Sequence, residues 1–93
     1  MNKIKYEFIN FVREHIDKFD DVGCGMYNLW IDGNLFQIFP YEKDDLYGHI
    51  YYTTYTYDEK GYGLEDNIYK LEDLNRVEQE SLLKQVKEEV ENN

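Results

Sequence analysis

The segment "MYNLWIDGNLFQIF" (residues 26–39) sets the strand pairing of this chain. Two strand-length apolar runs flank Asp32-Gly33, and an Asp-Gly pair tolerates the positive φ angles of a tight hairpin turn. Both faces of these runs carry apolar side chains, as expected when one face packs on helices and the other is half solvated. Pro40 ends the second run because it cannot donate to a ladder. The sequence therefore predicts an antiparallel hairpin here.

Strand signals continue after a polar loop. "HIYYTTYTY" (residues 49–57) is nearly all β-branched or aromatic, which predicts a third strand. Asp58-Glu59-Lys60-Gly61 predicts the next turn. A short fourth strand is predicted in either "YGL" (62–64) or "NIYKL" (67–71), so the sheet is expected to hold three or four strands.

Helical periodicity appears at both ends of the chain. Apolar residues recur with a 3.6-residue period over about residues 3–19, with Asn2 as a candidate cap. Near the other end, Asn75 and Glu78 resemble a capping box. The buried stripe predicted for this last helix consists of Val77, Leu82, Leu83, Val86 and Val90.

The element order α-β-β-β-(β)-α predicts an α+β fold. We expect a small antiparallel sheet of three or four strands, flanked by an N-terminal and a C-terminal helix that cover one face. The length of 93 residues predicts a single domain, 1–93. No apolar run approaches bilayer length. With one cysteine, no alanine and abundant Asn, Lys and Ile, the chain is expected in the cytoplasm of a low-GC bacterial host.

The charge balance is strongly acidic. Twenty Asp and Glu against ten Lys and Arg give a formal net charge of −10. Such a field repels nucleic acid and anionic membranes, and it speeds encounter with basic surfaces. The alternative is that the charge only maintains solubility.

Catalytic and metal-binding patterns are weak. No calcium-loop or zinc-ligand spacing is present, and no Gly-rich loop opens a helix with Lys-Ser/Thr. Cys24, between two glycines, is expected to be a small buried thiol. We therefore predict no enzymatic activity, no catalytic residue, no metal and no cofactor.

Tyrosines and carboxylates concentrate between residues 51 and 69, which hold six of the ten tyrosines. Tyrosine contributes large contact area with few rotors to freeze, and carboxylates accept paired hydrogen bonds from arginine. This combination predicts a surface for a basic, arginine-rich partner, although a plain strand with acidic turns is the alternative. The predicted partner-binding residues are Tyr55, Tyr57, Asp58, Glu59, Tyr62, Glu65 and Asp66, with Asp44 and Asp45 as a second cluster.

In size, acidity and α-β-β-β-α order, the chain resembles small inhibitors from phages and mobile elements, namely anti-CRISPR proteins and other DNA mimics. The resemblance implies a protein that binds and blocks a basic nucleic-acid-handling protein such as a nuclease, with no direct contact to nucleic acid or membrane. Two alternatives stay open. One is an immunity protein that neutralises a toxin nuclease. The other is a non-enzymatic homodimeric structural protein that buries its aromatic outer sheet face, with Trp30 and either Tyr51 or Tyr52.

Overall fold

Five strands and two helices make up the fold, as the computed structural model describes it for residues 3–42 and 49–92. The strands form one antiparallel sheet in chain order. The α+β class is confirmed, but the expected three or four strands are wrong because there are five. The elements are α1 (Lys3–Glu14), β1 (Asp20–Asp21), β2 (Tyr27–Ile31), β3 (Asn34–Ile38), β4 (Ile50–Tyr57), β5 (Gly63–Lys70) and α2 (Arg76–Glu91), with 3-10 turns at Ile16–Lys18 and Leu71–Asp73.

The additional strand is β1. Its two exposed aspartates pair with Asn28 and Tyr27 of β2. Two adjacent acidic residues carry no alternation, so periodicity does not predict a strand there. The first helix is correspondingly shorter than predicted and ends at Glu14. The cap predicted at Asn2 lies outside the described residues.

The predicted hairpin is confirmed. Trp30 pairs with Leu35 and Ile31 with Asn34, which leaves Asp32 and Gly33 as the turn. Their φ angles are 49° and 81°. Positive φ at both central residues is the type I′ arrangement, whose twist matches that of the flanking strands.

β5 is longer than either segment predicted for a fourth strand and includes most of both. Its ladder with β4 shifts by one residue: Thr54 pairs with Asn67, but Tyr55 pairs with Glu65. Asp66 is therefore the extra residue of a β-bulge. A bulge changes which face the following side chains occupy, so simple alternation along β5 fails at this point.

The core lies between one face of the sheet and both helices, as predicted. Phe8 of α1 stacks on Phe36 of β3 with ring centroids 5.6 Å apart. Val86 of α2 is fully buried. The other core side chains are Ile9, Phe11, Val12, Phe19, Leu29, Ile31, Ile38, Ile50, Leu71, Leu82, Leu83 and Val90.

The start of α2 confirms the capping box. Asn75 Oδ1 accepts the Glu78 backbone N–H, and Glu78 Oε1 accepts the Asn75 backbone N–H, each at 2.9 Å. The burial predicted for Val77 is wrong, because that side chain is 75% exposed. Gln79 is buried instead, and its Nε2 donates to the carbonyl oxygens of Leu71 (2.9 Å) and Leu74 (3.0 Å).

Within the described ranges, neither helix combines the length and the apolar character that crossing a bilayer requires.

Candidate functional site

The sheet face opposite the helices, which we call the open face, carries its side chains in rows defined by the strand register. Opposed residues in antiparallel strands point to the same side, so each row runs across the sheet. The central row consists of Trp30, Leu35, Thr53 and Ile68. The tip-side row, which is nearer the β4–β5 turn, contains Tyr55 and Glu65. The base-side row, on the other side of the central row, consists of Asn28, Gln37, Tyr51 and Lys70.

Aromatic rings cover the middle of the open face. Trp30 and Tyr55 have centroids 5.6 Å apart although β3 separates their strands, so the rings meet above β3. Tyr57 continues the group at 6.2 Å from Tyr55. Leu35 of β3 is buried beneath them, whereas Trp30 itself is 45% exposed. The register thereby settles which tyrosine lies with Trp30: Tyr51 shares the open face, and Tyr52 lies on the helix-covered face.

Beyond the helices, β4 and β5 continue as a protruding hairpin. Every residue from 56 to 68 is exposed. We call residues 56–66 the hairpin tip. Asp58, Glu59 and Tyr62 lie in its turn, and Glu65 and Asp66 follow on β5. Because no described helix covers either side of the tip, these side chains are available to a partner.

Asp58 builds the turn of the tip. One of its carboxylate oxygens, Oδ1, accepts the backbone N–H groups of Lys60 and Tyr62, each at 2.9 Å. The Gly61 N–H donates to the Asp58 carbonyl at 3.0 Å, and Gly61 has a φ of 85°. Asp58 is therefore both a turn residue and a surface charge, with Oδ2 left for other contacts.

The base of the tip is fastened to the β2–β3 turn. Asn34 Oδ1 accepts the Tyr55 backbone N–H at 3.0 Å, and Asn34 Nδ2 donates to the Tyr52 hydroxyl at 3.1 Å. The Tyr57 hydroxyl donates to the Gly33 carbonyl. Asp32 of the same turn thus joins the acidic residues at this end of the sheet. Sequence reasoning assigned Asp32 only to the turn and did not identify Asn34 as an anchor.

The tip is acidic without internal neutralisation. Lys60 is its one basic residue against Asp58, Glu59, Glu65 and Asp66. None of these carboxylates forms an ion pair with another described residue, whereas Arg76–Glu80 and Lys84–Glu88 pair on α2. The field at the tip is accordingly negative and open to solvent.

The bulge divides the predicted partner-binding residues between two surfaces. Tyr55, Tyr57 and Glu65 lie on the open face. Asp66 accepts a hydrogen bond from the hydroxyl of Thr56, which points to the helix side of β4. Asp58, Glu59 and Tyr62 form the turn between the two surfaces. The second predicted cluster, Asp44 and Asp45, lies outside the described residues.

Other parts of the surface are less distinctive. A groove of about 850 Å³ between α1 and α2 is lined by charges of both signs, among them Lys3, Glu7, Lys84 and Glu88. Within residues 3–42 and 49–92, no group of three or more His, Cys, Asp or Glu is arranged to hold a metal ion. The mixed charges of this groove do not favour a ligand of either sign.

Two residues near β1, Tyr27 and Cys24, have distinctive local environments. Burial, with the Asp21 carboxylate and Tyr41 adding to it, raises the pKa of Tyr27 above its ordinary value. Cys24 is exposed in the turn between β1 and β2, so its expected burial is wrong. It adopts a φ of 55° between two glycines of positive φ.

Comparison with protein-family models, curated protein sequences and solved structures finds no significant match to this chain. The described residues form a five-stranded antiparallel sheet with two helices on one face, an aromatic open face and an acidic protruding hairpin.

Proposed function

We propose that this protein is an acidic inhibitor that binds and blocks a basic nucleic-acid-handling protein, such as a nuclease, in the bacterial cytoplasm. The observation that supports the proposal is the hairpin tip, residues 56–66, where every residue is exposed and four carboxylates lie together with two tyrosines. The contact centres on Asp58, Glu59, Tyr62 and Asp66. Tyr55, Tyr57 and Glu65 on the adjoining open face form its rim.

The chemistry of this contact is mimicry of a phosphate backbone. Glu59 forms no hydrogen bond or ion pair with another described residue, so its oxygens can accept paired N–H bonds from a guanidinium. Tyr62 is 71% exposed, and its ring face can stack on arginine. Carboxylates on a narrow hairpin enter a cleft that is built for phosphates, and the protein blocks substrate by occupying that cleft.

The function can be tested with a charge change that keeps the turn intact. We expect Asp58→Asn, Glu59→Lys and Asp66→Asn together to abolish partner binding, because they remove the negative field of the tip. The asparagines at positions 58 and 66 keep an oxygen that can accept the hydrogen bonds within the hairpin. The control, Glu7→Lys with Glu14→Lys on α1, changes the net charge by the same amount and should bind as the wild type does.

The measurement begins with affinity capture from a low-GC bacterial lysate and mass-spectrometric identification of the retained protein. That protein is then purified, and inhibition of its nucleic-acid binding or cleavage is titrated with each variant. Equal inhibition by the tip variant and the α1 control would move the site away from the hairpin. Failure to inhibit any basic nucleic-acid-binding protein would overturn the function.

A further inference from the structure

We propose that the open face is the interface of a symmetric homodimer, in which two copies pack face to face about an axis along the central row. This inference goes beyond the proposed function, because the occupant is a second copy of this chain. It rests on the pattern of side chains across the sheet and does not involve the tip turn.

Symmetry of the rows is the first argument. A two-fold axis along the central row reverses the strand direction and leaves the position across the sheet unchanged. Each residue of the central row then faces its own copy, so that Trp30 meets Trp30 and Ile68 meets Ile68. The tip-side row of one copy faces the base-side row of the other, so that Tyr55 of one copy packs on Tyr51 of the other. A self-matching patch is what a two-fold interface requires.

Charge complementarity is the second argument. Among the residues assigned to these three rows, only Glu65 and Lys70 are charged, and they are of opposite sign. Both lie on β5, one row to either side of Ile68. The same axis places Glu65 of each copy opposite Lys70 of the other. Two ion pairs therefore form, and no like charges meet within the rows.

The bulge in β5 creates this arrangement. Without it, alternation from Ile68 would place Asp66 on the open face and Glu65 on the helix side. The extra residue instead aligns Glu65 with Tyr55, while Asp66 bonds to Thr56 on the other side. A bulge at an edge strand commonly re-aims a side chain, and here it supplies the acid that matches Lys70.

Exposed apolar surface supports the same occupant. Trp30 is 45% and Ile68 57% exposed, at the two ends of the row that would lie on the axis. Four strands spaced about 4.8 Å apart, with three rows about 6.8 Å apart, give each copy a footprint of about 400 Å². The total of about 800 Å² is below the roughly 1,000 Å² of a stable specific interface, so the dimer is expected to be weak and to dissociate on dilution.

The dimer leaves the hairpin turn free. It covers Tyr55 and Glu65, which lie at the rim of the proposed partner site, but Asp58, Glu59 and Tyr62 extend beyond the paired rows. Because the axis reverses strand direction, the two tips point in opposite directions. A dimer of this kind presents two acidic hairpins, each able to engage one basic partner.

The experiment is a charge swap read by sedimentation equilibrium between about 1 and about 300 µM protein. We expect wild-type protein to dimerise with rising concentration. Glu65→Lys alone and Lys70→Glu alone should each weaken the dimer about tenfold or more, because like charges then face each other. The double variant E65K/K70E should associate within about threefold of wild type, since the swap restores both pairs.

Two further variants separate this dimer from other outcomes. Trp30→Ser should also weaken association about tenfold or more. The tip variant D58N/E59K/D66N should dimerise normally even if it loses its partner, which keeps the dimer and the proposed function independent. Circular dichroism verifies that each variant is folded. Three results would overturn the proposal: a folded wild type that stays monomeric, a dimer that Trp30→Ser does not weaken, or a charge swap that fails to rescue the single variants. If the protein is a monomer and its partner binding depends on Trp30, the open face belongs to that partner instead.

Discussion

At the scale of single residues, polar side chains that satisfy the backbone explain features that hydrophobic periodicity does not. Gln79 takes the buried position predicted for Val77 because its amide donates to two carbonyl groups of the preceding turn. A valine there would leave both carbonyls without that donor in a buried site. Asn34 similarly supplies an acceptor for Tyr55 where the β3–β4 ladder has ended.

Two of the three valines of α2, Val77 and Val86, provide a matched test of the core. Val86→Ala removes two methyl groups from a fully buried site and should lower the free energy of unfolding by about 2 kcal/mol. Val77→Ala, at a side chain that is 75% exposed, should change it by less than about 0.5 kcal/mol. Urea denaturation measures both. Equal losses for the two variants would contradict the orientation of α2 against the sheet.

At the scale of elements, the β4–β5 hairpin is the feature that departs most from a simple layered fold. Its first half pairs with β3, and its second half extends past the β2–β3 turn. The extension is held by the Asn34–Tyr55 bond and by the Tyr57 hydroxyl on Gly33. The position of the acidic tip therefore depends on the geometry of the neighbouring turn.

Glycine substitutions test that dependence. Gly33 and Gly61 both have φ above 80°, but a Cβ on Gly33 would lie 3.0 Å from Tyr57 Cε2, whereas nothing lies within 4 Å of one on Gly61. Gly61→Ala should cost only the conformational strain, about 1 kcal/mol. Gly33→Ala should cost more, about 2 kcal/mol, because the Tyr57 ring must also shift. Thermal denaturation compares them, and a Gly33 cost no larger than that of Gly61 would argue against the close packing of Tyr57.

At the scale of the whole molecule, charge and apolar surface are segregated. The molecule carries a net charge of −10, yet the three rows of the open face carry one charge of each sign. Long-range repulsion between copies opposes the dimer, while the contacting surfaces themselves are neutral. The same field attracts a basic partner, so added salt acts on the two associations in opposite directions.

We therefore expect opposite salt responses. Raising ionic strength from about 50 to about 500 mM should slow association with the basic partner markedly, because screening shortens the reach of the attraction. The homodimer should tighten or stay constant, since screening removes the repulsion between two acidic copies, while the two Glu65–Lys70 pairs lie within the interface and are screened less. Stopped-flow kinetics and sedimentation measure these effects. If the association rate with the basic partner does not change with salt concentration, that result would count against phosphate mimicry.

Local signals in the sequence account for the hairpin at Asp32-Gly33, the long strand at 50–57, the capping box of α2 and the tyrosine–acid composition of the last hairpin. Each depends on residues close together in the chain: a turn that needs positive φ, β-branched runs, and a cap with its partner three residues on. Strand β1 and the bulge at Asp66 depend on the pairing register with a neighbouring strand, and the exposure of Val77 depends on how α2 packs on the sheet. Periodicity within one segment reports none of these. The acidic, aromatic character of residues 51–69 follows from composition alone, whereas the surface each side chain occupies depends on tertiary structure, because a single extra residue in β5 moves Glu65 to one face of the sheet and Asp66 to the other.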